Sequence, residues 1–231
     1  MSVFNEIDFN KEYKILFIGN SYTYFNELWN LVKNVCEKYN IKISVEEVTS
    51  GGYTLEKMND VNDLFGNKVN SKLNENKYDV VVLQEQSFRP CIDKELFFEA
   101  VRNLHKKINR NGARTLLYET WGRKEGSVDL EKRNMTSNEM FSRLIEAYES
   151  IKDELGIYIA SVGKAFRIIN NEYKDIELYN EDKSHPSLLG SILASLVISS
   201  VIFNIDINNY FNESLSKEIN DIFIEVVKRV I

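Results

Sequence analysis

The stretch ILFIGNSYTYFNEL, residues 15–28, runs from four apolar residues into Gly19-Asn20-Ser21 and then into helix-like spacing. A short apolar run closed by glycine reads as a buried strand, and the residues after Ser21 read as the opening of a helix. A strand, a tight polar turn and a helix make the first half of a βαβ unit. The fold class therefore turns on whether the pattern repeats.

It does repeat. Apolar runs bounded by polar residues recur as KILFI at 14–18, KISVEEV at 42–48, DVVVLQ at 79–84, RTLLYET at 114–120 and IYIASV at 157–162, five candidate strands. Helical spacing separates them over 25–39, 94–109 and 138–155, short helices are expected within 54–73, and a last helix is expected over 214–230. Alternation of this kind demands parallel crossovers and a sheet covered on both faces, an α/β architecture. No repeat, low-complexity tract or proline-rich linker interrupts the chain, whose two prolines are Pro90 and Pro186, so one domain over 1–231 is expected.

Composition narrows the function classes. The 231 residues are 43% hydrophobic and 12% aromatic, enough for a large core. Twenty-nine basic residues against thirty-five acidic ones give a net charge of -6, and no basic stripe offers a nucleic-acid footprint. Cys36 and Cys91 lack the spacing of a disulfide framework or a zinc site, so reduced thiols and no metal are expected. The N-terminal MSVFNEIDFNKEYK has no secretory pattern, which points to a cytoplasmic protein. The uncharged SLLGSILASLVISSVIFNI, residues 187–205, approaches bilayer-spanning length. Its serines, its unflanked ends and the adjoining Ser-His-Pro favour a buried core helix instead, so no membrane contact is expected.

In a parallel sheet of this class, ligands sit beyond the carboxyl ends of the strands. Five segments converge there: Gly19-Asn20-Ser21, Ser50-Gly51-Gly52, Gln84-Glu85-Gln86-Ser87, Thr120-Trp121-Gly122 and the loop before Pro186. Ser21 is either an exposed nucleophile or, like Asn20, a helix cap. A serine nucleophile needs a base, and the chain has only His105 and His185. His105 lies among lysines on an amphipathic helix and is read as a surface or half-buried residue. His185 follows Asp182 by three residues on a turn that leads into a helix begun by Pro186. A carboxylate at that spacing can hold the imidazole Nδ1–H and leave Nε2 to take a serine proton, or it can simply cap a polar loop.

Together, Gly19-Asn20-Ser21 early and Asp182-Lys183-Ser184-His185 late, followed by Pro186-Ser187, resemble the SGNH (GDSL-like) hydrolase superfamily over nearly the whole chain. The further set GNSYT, VVLQEQS, ETW and LYNEDKSHPS resembles a divergent bacterial subgroup. The resemblance implies a flavodoxin-like three-layer α/β/α sandwich with a parallel five-stranded sheet, and a Ser21–His185–Asp182 triad needing no cofactor. It also implies an oxyanion hole formed by the backbone N–H of Ser21, that of Gly52 (with Gly51 as the other candidate) and the amide of Gln86. Two departures stand out: Asn20 where the family has aspartate, and Gln86 where it has asparagine, one methylene shorter.

Trp121 is expected either to line an acyl or sugar site or to pack into the core at a strand end. Tyr22, Phe88 and Arg89 lie in the right loops but read as structural, and Glu85 reads as a loop-orienting residue. The function implied is a serine esterase acting on a small-molecule or carbohydrate ester, with acetyl as the expected acyl group. An acyltransferase using the same triad, a flavodoxin-like FMN-binding protein and an inactive sugar-binding relative are the competing readings.

Overall fold

The structure is a computed structural model and describes residues 2–231. Its elements run in the order β1 (Glu12–Gly19), α1 (Ser21–Tyr24), α2 (Leu28–Lys38), β2 (Lys42–Thr49), α3 (Leu55–Asn59), α4 (Leu64–Glu75), β3 (Val80–Leu83), α5 (Arg89–Ile92), α6 (Lys94–Asn111), β4 (Arg114–Tyr118), α7 (Val128–Lys132), α8 (Ser137–Leu155), β5 (Tyr158–Ala160), α9 (Val162–Glu172), α10 (Leu188–Phe203) and α11 (Lys217–Val230). All five expected strands form. They make one parallel sheet in the order β2-β1-β3-β4-β5, the flavodoxin-like arrangement.

The strand sequences explain the three layers. Successive side chains of a strand point to opposite faces, so a strand buried on both sides is apolar throughout. In β1, Ile15 and Phe17 enter the core shared with α2, α9, α10 and α11, whereas Leu16 and Ile18 enter the core shared with α3, α4, α6 and α8. Val80 and Val82 of β3 face the first layer, and Val81 and Leu83 the second.

The long helices carry their own boundary signals. Thr136 and Glu139 form a reciprocal capping box at the start of α8, and Gly156 ends it in a left-handed conformation. Helix α9 has no counterpart among the expected helices. It begins two residues after β5, and its buried residues Val162, Ala165, Phe166 and Ile169 sit at helical spacing. The expected helix over 25–39 starts later, at Leu28, because Asn26 and Glu27 take left-handed backbone conformations and break it.

The uncharged segment forms α10, whose residues from Gly190 to Phe203 are all buried. Among the described residues, no helix is long and apolar enough to cross a membrane. The helix sits in the larger of the two cores, beside α2, α9 and α11.

Register sets the site. Gly19 pairs with Thr49, Ile18 with Leu83, and Leu83 with Leu117, so the carboxyl ends of β2, β1, β3 and β4 stand nearly level. The chain leaves β1 toward β2 on one side and returns through β3 on the other. That reversal opens a crevice at the ends of β1 and β3. Ile198, fully buried in α10, tests the assignment of this helix to the core. Ile198→Ala is expected to lower unfolding free energy by about 2–5 kcal/mol in urea titrations.

Candidate active site

At the end of β1 the chain is clamped by a side chain from its neighbour. Oε1 of Gln84, the residue after β3, accepts hydrogen bonds from the Asn20 backbone N–H (2.8 Å) and the Thr23 hydroxyl (2.9 Å), while its amide nitrogen donates to the Glu85 carbonyl. A Cβ on Gly19 would lie 2.6 Å from that Oε1 and 2.5 Å from Thr23 Oγ1, so only glycine lets Gln84 cross the turn. The clamp was not anticipated from sequence. Its available signal was a glutamine directly after an all-apolar strand that pairs with the strand ending at Gly19.

Asn20, and not Ser21, caps α1. Its Oδ1 accepts from the Tyr22 N–H at 3.1 Å, and its Nδ2 donates to the Tyr53 carbonyl at 2.9 Å. The second bond accounts for asparagine where aspartate was the expectation. A carboxylate would meet the Tyr53 carbonyl with an acceptor against an acceptor. With the cap supplied by Asn20, the hydroxyl of Ser21 is left to make another contact, and Ser21 is 9% exposed.

That contact is His185. Nε2 of the imidazole lies 2.9 Å from Ser21 Oγ, and Nδ1 hydrogen-bonds Oδ2 of Asp182. Asp182 uses its other oxygen, Oδ1, to accept the backbone N–H groups of Ser184 (3.0 Å) and His185 (2.9 Å). Loop capping and imidazole orientation are thus served by different oxygens of one carboxylate. Burial pushes the Asp182 carboxyl up, but the hydrogen bonds from the His185 ring and from the two backbone amides outweigh it and hold the group below its ordinary value. An ionised acceptor at Nδ1 keeps the proton on that nitrogen and leaves Nε2 as the acceptor. The loop returns through an antiparallel bridge between Tyr179 and Pro186, with Lys183 in a left-handed conformation.

The expectation that Trp121 lines a substrate site is corrected. Trp121 is fully buried, sandwiched between Tyr22 (4.8 Å, 5°) and Phe166 (3.9 Å, 3°), and its indole N–H donates to the Ser184 carbonyl at 3.0 Å. Tyr22 hydrogen-bonds the Ser184 hydroxyl at 2.7 Å. Both aromatic residues therefore brace the turn between Asp182 and His185 from behind. His105 is far from this chemistry: its two nitrogens are engaged by Thr115 Oγ1 and Asn109 Nδ2.

Four further N–H donors stand at the ends of β1, β2 and β3. Gln86 accepts the N–H groups of Phe88 (2.8 Å) and Arg89 (3.1 Å) through Oε1, which fixes the amide plane and leaves Nε2 without a partner among the described residues. Gly52 occupies a turn closed by the Tyr53 N–H on the Ser50 carbonyl, with φ of +71° that favours glycine. The backbone N–H groups of Ser21, Gly51 and Gly52 have no partner among the described residues.

Glu85 ties two of these loops together. It is 1% exposed, and its Oε1 accepts both the Gln86 N–H (2.6 Å) and the Leu55 N–H (3.1 Å), joining the loop after β3 to the helix beyond the Gly51-Gly52 turn. This is the loop-orienting role expected of it. Burial pushes its pKa up to about 8, against which the two amides and Arg89 are insufficient. Glu119, at the end of β4, is likewise pushed up to about 8 by burial while accepting the Lys164 N–H at 3.0 Å.

By sequence, the chain matches no family model and no curated protein. Solved structures do match. A protein from Slackia heliotrinireducens assigned to the SGNH hydrolases is 28% identical, with a TM-score of 0.75 over 83% of this chain and 99% of the other. A DUF4886 family protein from Bacteroides uniformis shares the fold at 15% identity and a TM-score of 0.79, covering 95% of this chain and 94% of its own. A variant of an acetyl-xylooligosaccharide esterase from Geobacillus shares it at 18% identity and a TM-score of 0.55, over 81% and 93% of the two chains.

The neutral Glu85 has a measurable signature. In the unfolded chain a glutamate releases its proton near about 4.3, whereas the folded protein holds it up to about 8. Between those values the unfolded state binds fewer protons, so this residue makes stability fall as pH rises, and the effect levels off above the folded pKa. Glu85→Gln keeps the accepting oxygen and cannot ionise. Its urea midpoint relative to the wild type is expected to move in the variant's favour from pH 5 to pH 8; a pH-independent difference would contradict a buried neutral carboxyl.

Proposed function

We propose that the chain is a serine esterase of the SGNH hydrolase type, working through an acyl-enzyme on Ser21, a reading supported by its 28% identity over 83% of its length to a solved protein assigned to that superfamily. The observation that carries the reading is the continuous line from Asp182 through the His185 ring to Ser21 Oγ at 2.9 Å. Ser21 Oγ attacks the ester carbonyl as His185 Nε2 takes its proton, and Asp182 stabilises the resulting imidazolium. The oxyanion is held by the N–H of Ser21, the N–H of Gly52 and Nε2 of Gln86, each free of a partner among the described residues.

The ester C–O bond then breaks, and the proton on Nε2 passes to the leaving alkoxide. Water, deprotonated by the same nitrogen, attacks the acyl carbonyl, the bond from the acyl carbon to Oγ breaks, and Nε2 returns its proton to Ser21 as the carboxylic acid leaves. No step calls for a metal or an organic cofactor. The substrate proposed is a small-molecule or carbohydrate ester with a short acyl group, acetyl on a sugar hydroxyl first. Support for acetyl comes from the shared fold of the acetyl-xylooligosaccharide esterase.

A fluorophosphonate probe tests the activated serine directly. Peptide mapping is expected to place the label on Ser21, with labelling abolished in His185→Ala. Label on another residue, or none on folded protein, rejects the mechanism. Asp182→Asn, which leaves the ring without its anionic partner, is expected to lower kcat by about 10⁴-fold with little change in KM, read with a chromogenic acetate ester.

A further inference from the structure

With Trp121 buried, the surface that meets the substrate must be sought elsewhere, and two aromatic residues beside Ser21 have no role in either core. We propose that Tyr24, backed by Phe25, forms the subsite for the leaving alcohol of the ester and takes the apolar face of a pyranose ring. The proposal rests on the esterase reading above and deepens it.

Residues three and four positions after Ser21 lie on its side of a helical turn. Tyr22 and Thr23 are buried, whereas Tyr24 is 37% exposed and Phe25 partly so. The Phe25 ring lies face-on against the His185 imidazole, 4.3 Å between centroids at 12°, and the Tyr24 ring stacks beyond it at 5.6 Å and 23°. The Tyr24 hydroxyl would stand 3.2 Å from a Cβ placed on Gly51. An aromatic strip thus flanks Ser21 from the base on one side to the glycine turn on the other.

Proton return decides which half of the ester meets this strip. When the acyl carbon–oxygen bond breaks, Nε2 of His185 gives the proton it took from Ser21 to the departing oxygen. That oxygen must therefore sit at the imidazole, and the group it carries extends along the ring that covers the imidazole face. An exposed tyrosine offers an apolar face to the C–H groups of a sugar and a hydroxyl for its polar rim.

The backbone is bent to hold the strip in place. Asn26 (φ 54°, ψ 22°) and Glu27 (φ 48°, ψ 56°) are consecutive left-handed residues, a conformation costly to residues other than glycine. Nδ2 of Asn26 donates to the carbonyls of Pro186 (3.3 Å) and Ser187 (3.3 Å) and to Ser191 Oγ (2.9 Å). The residue after Phe25 is thereby fastened to the loop that carries His185.

The test compares two acetates that differ only in the alcohol, acetylated methyl β-xylopyranoside and ethyl acetate. In Tyr24→Ala the ratio of kcat/KM for the xyloside over that for ethyl acetate is expected to fall by about tenfold, mostly through KM, and to recover in Tyr24→Phe. An unchanged ratio overturns the proposal, whether both activities drop together or neither does. If the wild type takes the fluorophosphonate on Ser21 but cleaves neither acetate, the acetyl reading fails by itself. The subsite is then judged by saturation-transfer NMR with methyl β-xylopyranoside on the Ser21→Ala protein. Transfer that disappears when Tyr24→Ala is added supports the subsite, and no transfer in Ser21→Ala overturns it.

Discussion

One amide oxygen determines where the first strand stops. Oε1 of Gln84 takes the Asn20 N–H at the point where the strand order reverses, and the missing Cβ of Gly19 makes room for it. Without that acceptor, a buried backbone donor at the head of α1 would be left unsatisfied, a loss comparable to a hydrogen bond that water cannot replace. The position of Ser21 is therefore a consequence of sheet pairing. The residue that holds the Gly19-Asn20-Ser21 turn belongs to the loop after β3, and the two strands are neighbours only because the chain crosses over between them.

The carboxylates around the site divide into two kinds by environment. Asp182 is half exposed and rich in donors, which favours its charged form and suits it to an imidazolium partner. Glu85 and Glu119 are sealed at the ends of β3 and β4, where burial favours the neutral acid. Glu85 then works as a splint between the Gly51-Gly52 side and the Gln86 side of the crevice. Its place beside the site comes from the same level register that aligns the strand ends.

Aromatic residues supply the rigidity on the histidine side. The Asp182–His185 turn contains a left-handed Lys183 and few apolar side chains of its own. It is braced from inside by Trp121 and Tyr22, whose rings stack in parallel and whose polar atoms reach Ser184. From outside, Phe25 covers the imidazole face. Tyr22 also meets the ring edge-on at 5.6 Å. The imidazole is thereby restricted on two sides while its two nitrogens point along the line from Asp182 to Ser21.

Much of this was legible from sequence. The five strands were visible because a parallel sheet buried on both faces writes its strands as continuous apolar runs, and the Ser21, Asp182 and His185 positions stood out because the chain holds only two histidines. Their place after expected strands of a parallel sheet also marked the loops that carry Gly52, Glu85 and Gln86. What the sequence could not decide was which of two sound local readings applies to a given side chain. Trp121 at a strand end serves equally as pocket wall or as core, and only the packing of Phe166 and Tyr22 against its two faces settles it as core. The Gln84 clamp, the Asn26 anchor and the stacking of Phe25 on His185 join residues between 61 and 165 positions apart, and no local pattern encodes them. Periodicity and residue type are properties of a short window, so the sequence by itself determined the elements and the kinds of chemistry present. Contact between distant loops depends on strand order and register, so the tertiary structure alone decided which side chains meet.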